Sequence, residues 1–509
     1  MLSIKQLKVV AVSVCLMSIP FKSFAGTIGD GPAFPLASHV DQFQISNGTI
    51  LFPALFTDGD KLFQTPYNNL DGSGANLNQD STVSIRFSRV PRADLPGFTS
   101  DPFRATGPNA RSCTACHEGP TTPGGAIVDD ASGETVANVH RDPQRTQMLS
   151  KFIQRNTPHL FGAGALQNLA QEMTKDLIAI KDSAVSAASA CSSSCTSTKS
   201  LTTKGVSFGT VSATKTISCN FFFFCTSSVT VDTTGVKGVS KDLIVRPYEW
   251  KGSVAFLRDF VRGAALNEIG MQGDEMVGVG VDQDQDGVAD EFTVGDITAI
   301  TVYNAAQPRP MTMLELNAKD PVTFPLTSAQ KTAISAGQTL FAQANCTGCH
   351  KPSMNMANPV FSEPSASAQY RDSTFPSGVN PVDLGLDPTK PVTFNFLTDL
   401  EVNFEPASNG GAIVRLYSDL KWHDMGSGLA EPIDEAGNGA SVFITKALWG
   451  IGSTAPYLHD GRAPTLTAAI LAHGGEAQAS RDSFNTMSSD NQQNLIEFLK
   501  NLVLFKTPG

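Results

Sequence analysis

The sequence predicts a mainly α chain of two domains, with long irregular loops and a small β-rich insertion. Three observations predict it. The pattern Cys-x-x-Cys-His occurs twice in a chain with only 9 Cys and 8 His, at Cys113, Cys116 and His117 and, a domain's length further on, at Cys346, Cys349 and His350. Helical patterns lead into the second copy and close the chain. Between the copies, residues from about 183 to 240 turn rich in Ser and Thr with little helical periodicity.

In order along the chain, the N-terminus "MLSIKQLKVVAVSVCLMSIPFKSFAG" has two lysines, an apolar run from Leu7 to Ile19 and small residues up to Ala25. It reads as a secretory signal peptide over residues 1–25, which places the mature chain in the periplasm or outside the cell. The run is well short of the roughly 20 residues that cross a bilayer, and no later segment could span one. Losing Lys5, Lys8 and Lys22 takes the formal charge of −11 three units lower. Such a surface repels nucleic acid and anionic lipid and suits a basic partner, such as a small redox protein that donates electrons. Nothing in the composition fixes an oligomeric state.

Residues 26 to 110 read as loops with a few strands, being rich in Gly, Pro, Asn and Asp. In the 183–240 insertion, Cys191, Cys195, Cys219 and Cys225 form an even set on a core-poor segment in an oxidising compartment, which predicts two disulfides. Three pairings are possible, and the spacing does not choose among them.

Beyond residue 320 the helices are clearer. "LTSAQKTAISAGQTLFAQAN" opens with a capping pair, Thr327 and Gln330, and repeats apolar residues at Ile334, Leu340 and Phe341 before Cys346. "SSDNQQNLIEFLKNLVLF" repeats the device with Ser489 and Gln492, then Leu495, Phe498, Leu499 and Leu502. The two helices are expected to cross over a small core, with Gly337 permitting close approach. This divides the mature chain into an N-terminal domain, 26–320, and a C-terminal domain, 321–509.

Zinc would need four ligands in one compact unit, and each Cys-x-x-Cys-His copy stands alone. A redox dithiol has no use for the adjacent histidine. Covalent haem uses every residue: the two thiols add to the vinyl groups and the histidine becomes an iron ligand. The expectation is therefore two covalently bound c-type haems on two c-type cytochrome domains.

Three further blocks, "RNTPHLFGAG", "YEWKGSVAFLRDFVRGAALNEIGM" and "FITKALWGIGSTAPYLHDGRAPTLTAAILAHGGEA", follow in that order. In them the chain resembles the bacterial di-haem cytochrome c peroxidase superfamily, in particular its di-haem oxidoreductase (thiol oxidoreductase) branch. The resemblance implies that His117 holds a peroxide-binding haem and His350 an electron-relaying one. It implies that Trp250 passes electrons between them and that Glu268 is the acid/base for O–O cleavage. At the distance after His459 where the peroxidases carry a methionine ligand, this chain has His473. A haem between His350 and His473 would be lower in potential than a His/Met haem.

His459 and Arg462 are expected to support haem or propionates, and His140 or His159 to be a resting sixth ligand of the first haem. His423 and Met425 have no role legible from spacing, beyond that of a satisfied histidine near the site for His423. "DQDQDGVADE" presents Asp282, Asp284, Asp286 and Asp290 around Gly287, the first half of a calcium loop, with Thr293 where a bidentate Glu belongs. The same residues also make an acidic solvated turn. The resemblance thus implies an exported peroxidase-type oxidoreductase taking hydrogen peroxide. The alternatives are a dioxygen-using or side-chain-oxidising enzyme on the same fold, and a non-catalytic electron carrier.

Overall fold

The computed structural model describes residues 31–73, 110–117, 139–141, 153–219, 225–283, 286–408 and 410–504. The expected signal peptide, Asp284 and residues 220–224 of the phenylalanine run lie outside these. Helix α1 (Phe52–Gln64) starts with Pro at its first turn and buries Leu55, Leu62 and Phe63. Helix α2 (Ala163–Ser189) is the longest of the described residues and buries Leu169, Met173, Leu177, Ala184 and Ala188 along one stripe. It begins at Gly162, whose φ is 72°, and a Cβ there would lie 2.6 Å from the Trp449 ring. Only glycine suits that turn.

Helix α2 runs into the stretch expected to be insertion, because the Ala/Ser sequence at 183–189 lacks polar contrast yet keeps its small buried face. The rest of the insertion is a three-stranded antiparallel sheet of β1 (Cys195–Thr203), β2 (Val206–Cys219) and β3 (Cys225–Asp232). Two disulfides staple it, Cys191–Cys195 at the mouth of β1 and Cys219–Cys225 across the β2/β3 turn. Leu201, Phe208, Val211 and Ala213 from this sheet join α2 in the largest core. Phe361, Phe394, Phe396, Phe404 and Trp449 complete it from the C-terminal side.

Helix α3 (Leu257–Ala264) continues directly into a π-helical turn, Ala265–Ile269. Helix α4 (Val294–Ala305) is wholly buried behind it and starts with a Thr293/Asp296 capping box. Helix α5 (Ser328–Gln343) bears the expected Thr327/Gln330 box. The closing helix α7 (Ser489–Lys500) is capped by Ser488, whose side chain accepts from the Asn491 amide. The sequence reading put that role on Ser489. Both serines fit the local pattern, and the packing of Leu495, Ile496, Phe498 and Leu499 inward sets the turn at which the helix begins. A Cβ at Gly337 of α5 would lie 1.9 Å from the Asn494 carbonyl oxygen of α7, so the two helices touch backbone to backbone.

The mainly α expectation holds in part. Six small sheets, four of two strands and two of three, tie down the long loops among the described residues.

Candidate functional site

The first Cys-x-x-Cys-His copy occupies a one-turn helix, Thr114–His117. Its incoming strand of chain is fixed by the Ala110 amide donating to the Glu268 carbonyl at 2.9 Å and by Tyr67 N donating to Arg111 O at 2.8 Å. The π-helical turn therefore sits beside the motif, and Glu268 acts on it. Burial, with the Glu268 carboxylate adding to it, pushes the Cys116 thiol up to about 11. π-Helical turns recur at functional sites because they re-aim side chains that an α-helix would place elsewhere.

Phe63 of α1 packs against His117 with ring centroids 5.9 Å apart. Burial drives the His117 pKa down to about 4, and His159 lowers it further. The Pro158 carbonyl faces the ring closely enough to oppose this, yet Nδ1 makes no hydrogen bond of normal geometry. A neutral imidazole with buried nitrogens suits an iron ligand. His159 Nε2 donates to the Trp449 carbonyl at 2.9 Å, and its Nδ1 is buried without a partner. Burial takes its pKa to about 4 as well. His140 pairs through its backbone with Gln154, and its side chain lies outside the described residues.

The second copy follows α5 directly. Asn345 adopts a left-handed φ of 59° that ends the helix and turns the chain into Cys346–Gly348. Asparagine tolerates that conformation at low cost. Cys346, Cys349 and His350 line a cavity of about 250 Å³ together with Trp250, Phe443, His459 and His473. Helix α6 (Leu466–Ala472) delivers His473 at its C-terminal cap.

His350 Nδ1 lies 3.1 Å from the Tyr417 carbonyl, and His473 Nδ1 lies 2.7 Å from the Ala469 carbonyl. A carbonyl only accepts, so both rings carry their proton on Nδ1, which leaves each Nε2 with a free lone pair. Burial lowers both pKa values, His350 to about 4, with the neighbouring His473 contributing. Two neutral imidazoles of fixed tautomer, sharing a cavity with two half-buried thiols, fit an iron porphyrin attached at Cys346 and Cys349.

Around this cavity, Trp250 Nε1 donates to the Asn156 carbonyl at 2.7 Å, and the Ile444 amide of a short strand (Val442–Ile444) donates to the Trp250 carbonyl at 3.1 Å. His459 stacks on Phe443 at 4.4 Å and meets Trp250 edge-on at 6.4 Å. Its carbonyl accepts from the Asn156 amide at 2.7 Å, and burial pulls its pKa down to about 4. Arg462 instead donates to Asp460 at 2.5 Å and to the Gly428 carbonyl at 2.8 Å.

His423 donates from both nitrogens, to Asp419 at 2.9 Å and to Glu476 at 2.8 Å. Only an imidazolium can do that. Sequence reasoning gives this residue no role, because its partner Glu476 comes from a distant segment of chain. Met425 also borders the cavity.

In the acidic loop, Asp282 accepts from the amides of Asp286 at 3.2 Å and Gly287 at 2.9 Å. Asp290 is brought against Asp274, whose Oδ1 is buried without a partner. Burial, and Asp290 after it, push the Asp274 carboxyl up to about 8.

Residues 398–502, which hold His423, His459 and His473, match the family model described as "Di-haem oxidoreductase, putative peroxidase". The superfamily resembled in the sequence is the one this region carries. No match was found among curated protein sequences.

Three solved structures share partial likeness. A hydrazine synthase of Kuenenia stuttgartiensis is 19% identical over 42% of this chain, with a TM-score of 0.22, and the match spans 56% of that chain. A MauG-like protein associated with microbial copper homeostasis is 17% identical over 56% of this chain and 76% of its own, at 0.26. The diheme peroxidase BthA of Burkholderia thailandensis is 12% identical over 94% of this chain and 92% of its own, at 0.34. Among the described residues no helix is long and apolar enough to cross a membrane.

Proposed function

We propose that this chain is an exported di-haem oxidoreductase of peroxidase type, with a peroxide-reducing N-terminal domain (26–320) and an electron-relaying C-terminal domain (321–509). The observation that carries the reading is the matched pair His350 and His473, each with Nδ1 committed to a carbonyl and both lining the cavity that holds Cys346 and Cys349.

Bound haem would supply a peroxide-accepting iron at the first site and a one-electron store at the second. Cys113, Cys116, Cys346 and Cys349 would form the thioethers, and His117, His350 and His473 would ligate iron. Glu268 would take a proton from the incoming peroxide and return it to the departing oxygen. Trp250, in the wall of the second cavity, would pass electrons toward the first site. Overall, peroxide takes two electrons and two protons and yields two waters. A basic redox protein is the proposed donor, in keeping with the acidic chain.

Calcium on the loop that carries Asp282, Asp286 and Asp290 belongs to the same proposal, with the unpartnered Asp274 oxygen as its support.

The test is anaerobic. The reduced di-haem protein is mixed with one equivalent of hydrogen peroxide while both haem spectra are followed. Rapid, joint reoxidation is the expected result. Spectra that stay reduced would overturn the reading in favour of a dioxygen-using enzyme, if oxygen then reoxidises them, or of a plain electron carrier.

A further inference from the structure

Lys446 lies with its Nζ 5.3 Å from the centroid of the Trp250 ring, within the range at which an ammonium feels the indole π-face. The contact follows from the fold. The Ile444 amide is bonded to the Trp250 carbonyl, and Lys446 stands two residues further along the same strand exit. Lys446 lines the cavity that holds Cys346 and His350, and its charge also reaches His159, the neighbour of His117. It therefore stands between the two haem-attachment motifs. Burial pushes the Lys446 ammonium down to about 8, which still leaves it charged at neutral pH; Glu249 favours the ammonium and Arg155 opposes it.

The indole is held on its other polar side too. Its Nε1–H donates to the Asn156 backbone carbonyl at 2.7 Å. A peptide carbonyl is too weak a base to remove that proton. An electron leaving Trp250 therefore leaves a radical cation on the ring, not a neutral radical. A fixed ammonium over the ring face attracts the neutral indole and repels its radical cation.

We propose that Lys446 is a positioning residue for electron flow, its ammonium holding Trp250 in the neutral form so that the indole passes electrons without storing an oxidising equivalent. This rests on the reading of Trp250 as the relay. In the step concerned, peroxide is the oxidant: Trp250 gives one electron toward the N-terminal site and is refilled by one from the C-terminal site. No bond to the indole forms or breaks, and its Nε1 proton stays on Nε1.

The test uses the di-haem holoprotein and its Lys446→Met, Lys446→Arg and Trp250→Phe variants. Each is mixed with one equivalent of hydrogen peroxide without external donor, frozen at set times and examined by electron paramagnetic resonance and optical spectroscopy. Lys446→Met should accumulate an indole radical about tenfold over the parent, which corresponds to ~59 mV in a one-electron potential. Lys446→Arg should stay at the parent's level, and Lys446→Met in a Trp250→Phe background should show no such signal. Should Lys446→Met fail to load haem, Lys446→Gln carries the same measurement.

If Trp250→Phe slows transfer between the two haem spectra while Lys446→Met gives no more radical than the parent, the Lys446 proposal falls and the relay stands. If Trp250→Phe leaves that transfer unchanged, the relay reading falls and the Lys446 proposal with it.

Discussion

His350 and His473 line one cavity from opposite ends of the C-terminal sequence, each tied through Nδ1 to a main-chain carbonyl, Tyr417 for one and Ala469 for the other. That pairing fixes both tautomers and makes both Nε2 atoms available as ligands. His473→Met should then raise the midpoint potential of the second haem by on the order of 100 mV, a fraction of the ~0.8 V that axial ligands command. A spectroelectrochemical titration measures it. An unchanged potential would remove His473 from the ligand set.

Glu268 sits on the π-helical turn beside Cys116, and its backbone carbonyl holds Ala110. Glu268→Gln keeps the backbone bond and removes only the acid/base group. Peroxide turnover should fall by about 10²- to 10⁴-fold with both haem spectra intact. Turnover within a factor of two of the parent would assign the proton transfer elsewhere.

His423 is held as an imidazolium between Asp419 and Glu476. Burial lowers its pKa, but the Asp419 carboxylate beside Nε2 raises it, and a free Cys349 thiol would add to that. A histidine whose folded pKa is raised above the ordinary 6.5 lends stability that is complete below 6.5 and is lost as pH rises through the folded pKa. His423→Gln should be less stable than the parent at pH 6, and the gap should narrow toward pH 10. Thermal unfolding across that range tests it, and a gap that ignores pH would contradict a charged His423.

Gly337 lets α5 and α7 meet backbone to backbone, with the Asn494 carbonyl where a side chain would begin. Gly337→Val should cost about 1–3 kcal/mol or more, as overpacking does, and should loosen the helix that delivers Cys346. Denaturant unfolding of the holoprotein gives the number.

Calcium should stabilise the protein through the Asp282–Asp290 loop. At 100 times its Kd the ion would add about 2.7 kcal/mol, and a chelator would remove it. Asp282→Asn should abolish the chelator effect. Equal melting temperatures with and without calcium would leave the loop an acidic turn.

Much of this was legible in the sequence because it is local. Two Cys-x-x-Cys-His copies, the Thr327/Gln330 cap and the apolar spacing of α5 and α7 are each contained within about twenty residues, where periodicity and capping chemistry act directly. The count of cysteines in the insertion predicted two disulfides, but only the sheet register, which sets Cys219 opposite Cys225, chose the pairing. The insertion reads as starting at about 183, although the helix before it runs on to Ser189, because those Ala and Ser residues carry no polar contrast. Their burial is decided by what packs on them.

By itself the sequence determined what chemistry the chain can hold: four thiols and two histidines in haem-attachment spacing, and His473 in place of a thioether. Tertiary structure alone decided which groups meet. The Lys446 ammonium over Trp250, the Asn156 carbonyl on the indole N–H, Glu268 beside Cys116 and the Glu476 carboxylate on His423 all join residues far apart in the chain. Such contacts arise from how whole elements pack, and packing between distant segments leaves no period or spacing in the residues that make them.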